Sequence, residues 1–311
     1  MSGTVLVGVM ALFSVLGPGE PAKPTVSFRL QDHRGSWHTL DEARDRKVVV
    51  LAFLGTECPL AEAYAPRLAE LARDFGKRGA AFFGVDANEQ DGPVAIGRFA
   101  EKHGLPFPIL KDVGNGLADS VAAERTPEVF VLDESRTVVY RGRIDDQYAI
   151  GIHRSASTRH DLVEALDAVL AGRPVATAKT DAVGCKIGRV TKPAASGAVT
   201  YAKQVARILQ AHCVTCHRPG EIAPFSLTDY RQAAGWSSMI EEVVDEGRMP
   251  PWHASPEHGK FANDSRLSAD EKKAIRDWVA AGSPEGDPAD LPRRPNSWRD
   301  GRSPGPTSSW K

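Results

Sequence analysis

The chain has 311 residues, 39 Lys+Arg against 40 Asp+Glu, a net charge of −1 and 41% hydrophobic residues. That length predicts two domains, and the balanced charge supplies no basic patch, so nucleic acid is not an expected partner. Of four cysteines, two lie in the run Cys213-Val214-Thr215-Cys216-His217; Cys58 and Cys185 remain, a number that permits one disulfide without requiring it.

Residues 4–17 (TVLVGVMALFSVLG) form an apolar run ahead of Pro18-Gly19-Glu20-Pro21. The run is short for a bilayer span and has the length of a signal-peptide core, although no Lys or Arg precedes Lys23. Residues 1–19 therefore read as a signal peptide or a short apolar N-terminal segment. The expected location is periplasmic or secreted, with membrane tethering if the segment is uncleaved. Residues 26–30 alternate and Asp32-His33-Arg34-Gly35 makes a turn, which predicts a hairpin. Residues 48–54 (VVVLAFL) read as a strand buried on both faces. Leu60, Tyr64, Leu68, Leu71 and Phe75 then recur at helical spacing. A second buried strand is predicted at 81–85, helices at 96–103 and 115–123, and a strand pair at 129–132 and 138–143. A last amphipathic helix carries Leu162, Leu166, Val169 and Leu170, so the fold class is α/β with a central sheet between helices. Cys58 stands where the first buried strand gives way to a helix, a place whose N–H groups and dipole favour thiolate. Thr126-Pro127, just ahead of a later strand, is a candidate cis-proline positioned to meet it.

Three stretches carry a resemblance: Phe53-Leu54-Gly55-Thr56-Glu57-Cys58-Pro59, Thr126-Pro127-Glu128-Val129-Phe130-Val131-Leu132-Asp133 and Tyr140-Arg141-Gly142-Arg143. Over residues 24–175 the chain resembles the thioredoxin superfamily, in particular its redoxin branch, the alkyl-hydroperoxide-reductase and thiol-specific-antioxidant type. The resemblance implies a thioredoxin-like α/β domain with Cys58 as the reactive thiol and Pro127 beside it. It also implies Arg125 or Arg143 as a thiolate partner. Two departures stand out. Ala61 occupies the position where a thioredoxin dithiol needs its second cysteine. Gly55 stands where the peroxiredoxin pattern has Thr, and Leu51 where it has proline. Cys185, beyond the last helix, is a candidate resolving thiol for Cys58; two isolated thiols are the alternative, since sequence does not fix connectivity.

Residues 176–196 are poor in apolar periodicity and read as a linker. Tyr201, Val205, Ile208 and Leu209 then trace a helix into the C-x-x-C-H run, the attachment signal of one covalent haem c. Two thiols three positions apart suit two porphyrin vinyl groups, and His217 follows as proximal iron ligand. A half zinc site or a bare dithiol is the alternative, but there is no second C-x-x-C and the run follows a helix rather than a strand. Residues 197–287 resemble small all-α cytochromes c. That resemblance implies Met249, next to Pro250, as distal ligand, ahead of Met239, His253 and His258. It also implies that the Pro224 carbonyl accepts the His217 ring N–H. A capping box at Ser268-Ala269-Asp270-Glu271 opens a terminal helix that should cross the helix before the motif. Residues 288–311 read as a disordered tail, and the pairing of domains raises the expectation of a truncated form of a longer protein.

The expected function is an extracytoplasmic oxidoreductase combining a thiol at Cys58 with electron transfer through haem. Its expected partners are a redox protein or a small thiol or peroxide, within reach of a membrane-associated electron-transfer complex. Two alternatives are an electron carrier whose redoxin domain only docks, and a haem peroxidase with an open sixth site.

Overall fold

The apolar run around residue 50 is the middle of the first domain. In the computed structural model, which describes residues 25–189 and 199–293 apart from 253, 255, 260 and 263, strand β3 (Val48–Phe53) is buried along its whole length. It pairs in parallel with β4 (Ala80–Asp86) and antiparallel with β7 (Glu128–Leu132). Beyond them lie β5 (Ile109–Lys111), β1 (Arg29–Asp32) and β2 (Trp37–Thr39) on one side and β8 (Val138–Gly142) on the other, giving the order β2-β1-β5-β4-β3-β7-β8. Helices α1 (Pro59–Gly76), α2 (Pro93–Lys102), α3 (Gly116–Ser120) and α4 (Asp161–Leu170) connect these strands. The result is the expected thioredoxin-like α/β fold. β3 needs no polar alternation because apolar residues line both of its faces: Val48 and Val50 on one side, Val49, Leu51 and Phe53 on the other.

Two further short ladders lie outside the main sheet. β9 (Tyr148–Ala149) pairs with β10 (Ile152–His153) as a small hairpin. β6 (Arg125–Thr126) pairs antiparallel with β11 (Cys185–Lys186). The second ladder corrects the expected linker, because residues 176–189 fold back onto the first domain. The Arg141 N–H donates to the Ala178 carbonyl and the Thr180 N–H to the Arg141 carbonyl, each at 3.0 Å. Gly142, at φ +140°, allows this approach, since a Cβ there would lie 2.2 Å from Thr180 Oγ1. A two-residue strand carries no readable period, so composition alone points to a linker. Residues 190–198 and the apolar segment 1–19 lie outside the described residues.

The second unit is helical. A π-helical turn (Tyr201–Val205) runs into α5 (Ala206–His212), and α6 (Tyr230–Gly235), α7 (Ser237–Asp245) and α8 (Ala269–Ala280) follow. Ser268 and Glu271 form the expected capping box. As expected, α8 lies against the turn before α5: Tyr201 and Trp278 rings are 6.4 Å apart, and Trp278 Nε1 donates to the Pro284 carbonyl at 3.0 Å. Helix α6 has no counterpart among the expected elements. The start of the expected tail is also ordered, because Arg207 Nη2 donates to the Asp290 carbonyl at 2.8 Å; residues 294–311 lie outside the described part.

The two units share one hydrophobic cluster that includes Cys58, Cys185, Trp236 and Ile240. Polar ties cross the boundary as well. Trp236 Nε1 donates to Glu57 Oε2 at 3.2 Å, and the Lys186 N–H points at Met239 Sδ at 3.4 Å. No helix of the described residues is long and apolar enough to cross a membrane.

Trp278 is fully buried. Trp278→Ala is expected to cost about 3–5 kcal/mol, read as a lower urea midpoint in the helical circular-dichroism signal.

Candidate functional site

Cys58 is the N-cap of α1, with Pro59 in the first helical position. The loop that carries it is pinned from below. Asp91 accepts from the Thr56 N–H at 2.9 Å, from Thr56 Oγ1 at 2.8 Å and from Asn88 Nδ2 at 3.1 Å. Gly55 leaves room for its neighbours, because a Cβ there would sit 2.7 Å from Asn88 Nδ2 and 3.1 Å from Thr126 Oγ1 and displace the Asn88 amide. The Thr126 hydroxyl beside it is within hydrogen-bond reach of Cys58.

The β6–β11 register sets Cys185 directly opposite Thr126, and Thr126-Pro127 is a cis peptide. Cys58 and Cys185 are thereby brought together as buried neighbours, both as free thiols. In its thiol form Cys58 donates to the Thr126 carbonyl at 2.9 Å. Burial opposes ionisation of Cys58, but hydrogen bonds from the Cys185 thiol, the Thr126 side chain and the Ala61 N–H outweigh it and bring the pKa down to about 6. Cys185, which donates to that thiolate and is itself buried, is pushed well above the ordinary thiol range; the charges of Arg125 and Arg248 oppose the rise. The pair is polarised, with Cys58 the more acidic thiol and Cys185 the proton-bearing neighbour.

The two arginines expected as thiolate partners have other partners. Arg143 places Nε on Asp161 at 2.7 Å. Arg125 sets its fork on Glu242 at 2.8 and 3.2 Å and donates to the Gly184 carbonyl at 2.9 Å. Sequence reading also missed Glu128, a buried carboxylate inside an apolar strand. It accepts from the Glu124 N–H at 2.8 Å and from Arg141 Nη2 at 2.7 Å, fixing the turn ahead of Pro127. A lone acid beside Val129-Phe130-Val131-Leu132 was the available signal.

Pro127 also lines a cavity of about 200 Å³ with Tyr64, Arg143 and Arg154. A larger cavity, about 530 Å³, lies between the two units. Its helical side presents Cys213, Cys216, His217 and Met249; its other wall includes Pro59, Ile150 and Cys185. His217 Nδ1 meets the Phe225 carbonyl at 3.2 Å. This corrects the expected Pro224 partner by one residue, and Pro224 is instead part of the cavity lining. A carbonyl only accepts, so Nδ1 carries the proton and Nε2 is left with its lone pair. Burial lowers the His217 pKa against the opposing pull of that carbonyl. Phe225 lies 4.5 Å from the His217 ring and stacks at 4.1 Å on Trp236. Burial, with the neighbouring Cys216, pushes Cys213 up to about 12. Of the rival sulfur and imidazole groups, Met239 also lines the cavity but faces the Lys186 N–H; His258 is exposed, and His253 lies outside the described residues. Among the described residues no group of three or more His, Cys, Asp or Glu gathers as a metal site.

Residues 19–141 match the AhpC/TSA family, and a curated relative aligns over most of its own length. The thiol-disulfide oxidoreductase ResA of Halalkalibacterium halodurans is 32% identical over 126 residues, 40% of this chain and 68% of that protein. The chain belongs to the AhpC/TSA family. A ResA of Geobacillus kaustophilus is likewise 32% identical, over 36% of this chain and 62% of its own length, so the chain spans about two thirds of these relatives. A hypothetical protein of Sinorhizobium meliloti, known from a crystal structure, is 29% identical and superposes with a TM-score of 0.50, covering 54% of this chain and 93% of that one. The family match ends ahead of the helical unit.

The polarised pair has a direct test. Rates of iodoacetamide alkylation at Cys58 should reach half-maximum near pH 6. In Cys185→Ala the lost donor should move that midpoint up toward the ordinary thiol value of about 8.5; an unmoved midpoint would refute the assigned hydrogen bond.

Proposed function

We propose that the chain is an extracytoplasmic redox protein in which the thiol pair Cys58–Cys185 works beside one covalent c-type haem. A single observation carries this reading: one cavity is walled both by Cys213, Cys216, His217 and Met249 and by Cys185. The residues fit the group. Cys213 and Cys216 open from one short loop, held by the Cys216 and His217 N–H groups on the Cys213 carbonyl at 3.1 and 2.9 Å. His217 is oriented with Nε2 as its lone-pair nitrogen, and the Phe225 carbonyl is the outer partner that holds the ring. Met249 offers a thioether, and the exposed apolar side chains Ile150, Ile222 and Met249 rim the cavity. Haem, when bound there, supplies one-electron redox chemistry.

The chain's own residues account for the thiol chemistry. Cys58 thiolate attacks one sulfur of a small disulfide, forming a mixed disulfide and expelling one thiolate. Cys185 loses its proton, attacks Cys58 and expels the second thiolate, which closes Cys58–Cys185 and leaves the substrate reduced by two electrons. Small substrates, thiols, disulfides or peroxides, fit best, because Cys58 is only 1% exposed and the cavity beside Pro127 is small. The reading of the first domain as a bare docking module is disfavoured by the lowered Cys58 and its adjacent second thiol. Export is favoured by the chemistry, since disulfides and covalent haem attachment both belong outside the cytoplasm.

The test is expression with an export signal and the haem-attachment machinery, followed by a denaturing gel stained for haem. Retained stain in the native sequence, lost when Cys213 and Cys216 are both changed to Ser, is the expected result. An unstained native chain would leave a dithiol with no haem and overturn the reading.

A further inference from the structure

Glu242, in the middle of α7, is a carboxylate on which three cations from both redox loops converge. Arg125, two residues before cis-Pro127, donates to it at 2.8 and 3.2 Å. Lys186, next to Cys185, lies 3.3 Å away. Arg248, next to Met249 and itself in the cavity wall, donates at 2.7 Å. Glu242 is only 10% exposed, so the cluster is held where charge is weakly screened. The same helix turns Met239, Ile240, Val243 and Val244 toward the cavity. Apolar packing on one face and this carboxylate on the other therefore fix α7 against both loops.

We propose that Glu242 is the positioning residue that links the thiol pair to the Met249 loop, so that its charge sets thiol reactivity and Met249 placement together. Arg125 reaches from Glu242 to the Gly184 carbonyl, which holds the strand of Cys185 against the cis-proline turn. Arg248, the residue before Met249, ties the start of that loop to the same carboxylate, and the Arg248 and Met249 N–H groups both donate to the Val243 carbonyl. Cys185 is faced by Cys58, Arg125 and Arg248, with Lys186 adjacent in the chain. Removing the carboxylate takes the ion-pair partner from Arg125 and Lys186, while Arg248 keeps Glu246, and makes the thiols more acidic; removing one cation does the reverse. The Met249 half of the inference rests on the haem reading above; the thiol half does not.

The test compares Glu242→Gln, Arg248→Met and Lys186→Met in the full chain. Each is read by the alkylation rate of the thiols at about pH 5, below the Cys58 pKa of about 6 so that a rise in thiolate can register, and, in haem-loaded protein, by the weak far-red absorption band of Met–iron ligation. Glu242→Gln should raise the alkylation rate roughly threefold and Arg248→Met should lower it by a similar factor. Both should weaken the far-red band. Lys186→Met should slow alkylation and leave the band intact, because Lys186 does not touch the Met249 loop. A general loosening of the interface would move Glu242→Gln and Arg248→Met in the same direction. That result, an unchanged alkylation rate, or a band untouched in both variants would overturn the proposal. If Glu242→Gln fails to fold, the contrast between Arg248→Met and Lys186→Met decides it: a band lost only in the first supports the link, and equal bands refute it. Should no haem attach to any chain, the haem reading fails while the alkylation comparison still judges the thiol half.

Discussion

The organisation of the molecule depends on a two-residue ladder, β6 against β11. This short pairing places Cys185 opposite Thr126, and Thr126 is in turn the residue whose carbonyl meets Cys58. The ladder is tight: a Cβ at Gly184 would lie 2.0 Å from the Thr126 carbonyl oxygen. The same strand gives the helical unit its landing site, through Lys186 on Met239 and Glu242. A few backbone hydrogen bonds thus complete the thiol site and the domain interface at once.

This arrangement explains how a thioredoxin-like domain without the usual second cysteine keeps a vicinal thiol. Ala61 leaves the helix-borne position empty of sulfur, and the chain returns beyond α4 to supply one from β11. The thiol pair ends up buried, with the helical unit over it. Burial raises the cost of forming a thiolate, and the site offsets this with donors, Cys185 first, rather than with a cation. The nearby cations are directed instead at Glu242, where they serve the interface.

Much of this was legible in the sequence because the signals were local. The continuous apolar run of β3, the helical spacing from Leu60 to Phe75 and the Ser268–Glu271 capping box each depend on residues close together in the chain. Cys58 at a helix start and Thr126-Pro127 before a strand were legible for the same reason. What escaped was non-local or too short to carry a period. β11 has two residues, and its partner strand lies far away in sequence. Nothing local to Glu242 says that three cations will meet there. The one-residue difference between Pro224 and Phe225 at His217 reflects loop geometry, which spacing does not encode.

Because Cys185 stands in the wall of the cavity proposed above as a haem site, the thiol pair and the contents of that cavity should be energetically linked. An equilibrium redox titration of the thiols, followed by mass spectrometry of the Cys58–Cys185 cross-linked peptide, measures this linkage. It is made on haem-loaded chain and on the Cys213→Ser, Cys216→Ser double variant. Linkage predicts that the cross-link forms in both and that its midpoint differs between them, because a group filling the cavity acts on Cys185. Thiols that stay free throughout, or one midpoint common to both proteins, would contradict it.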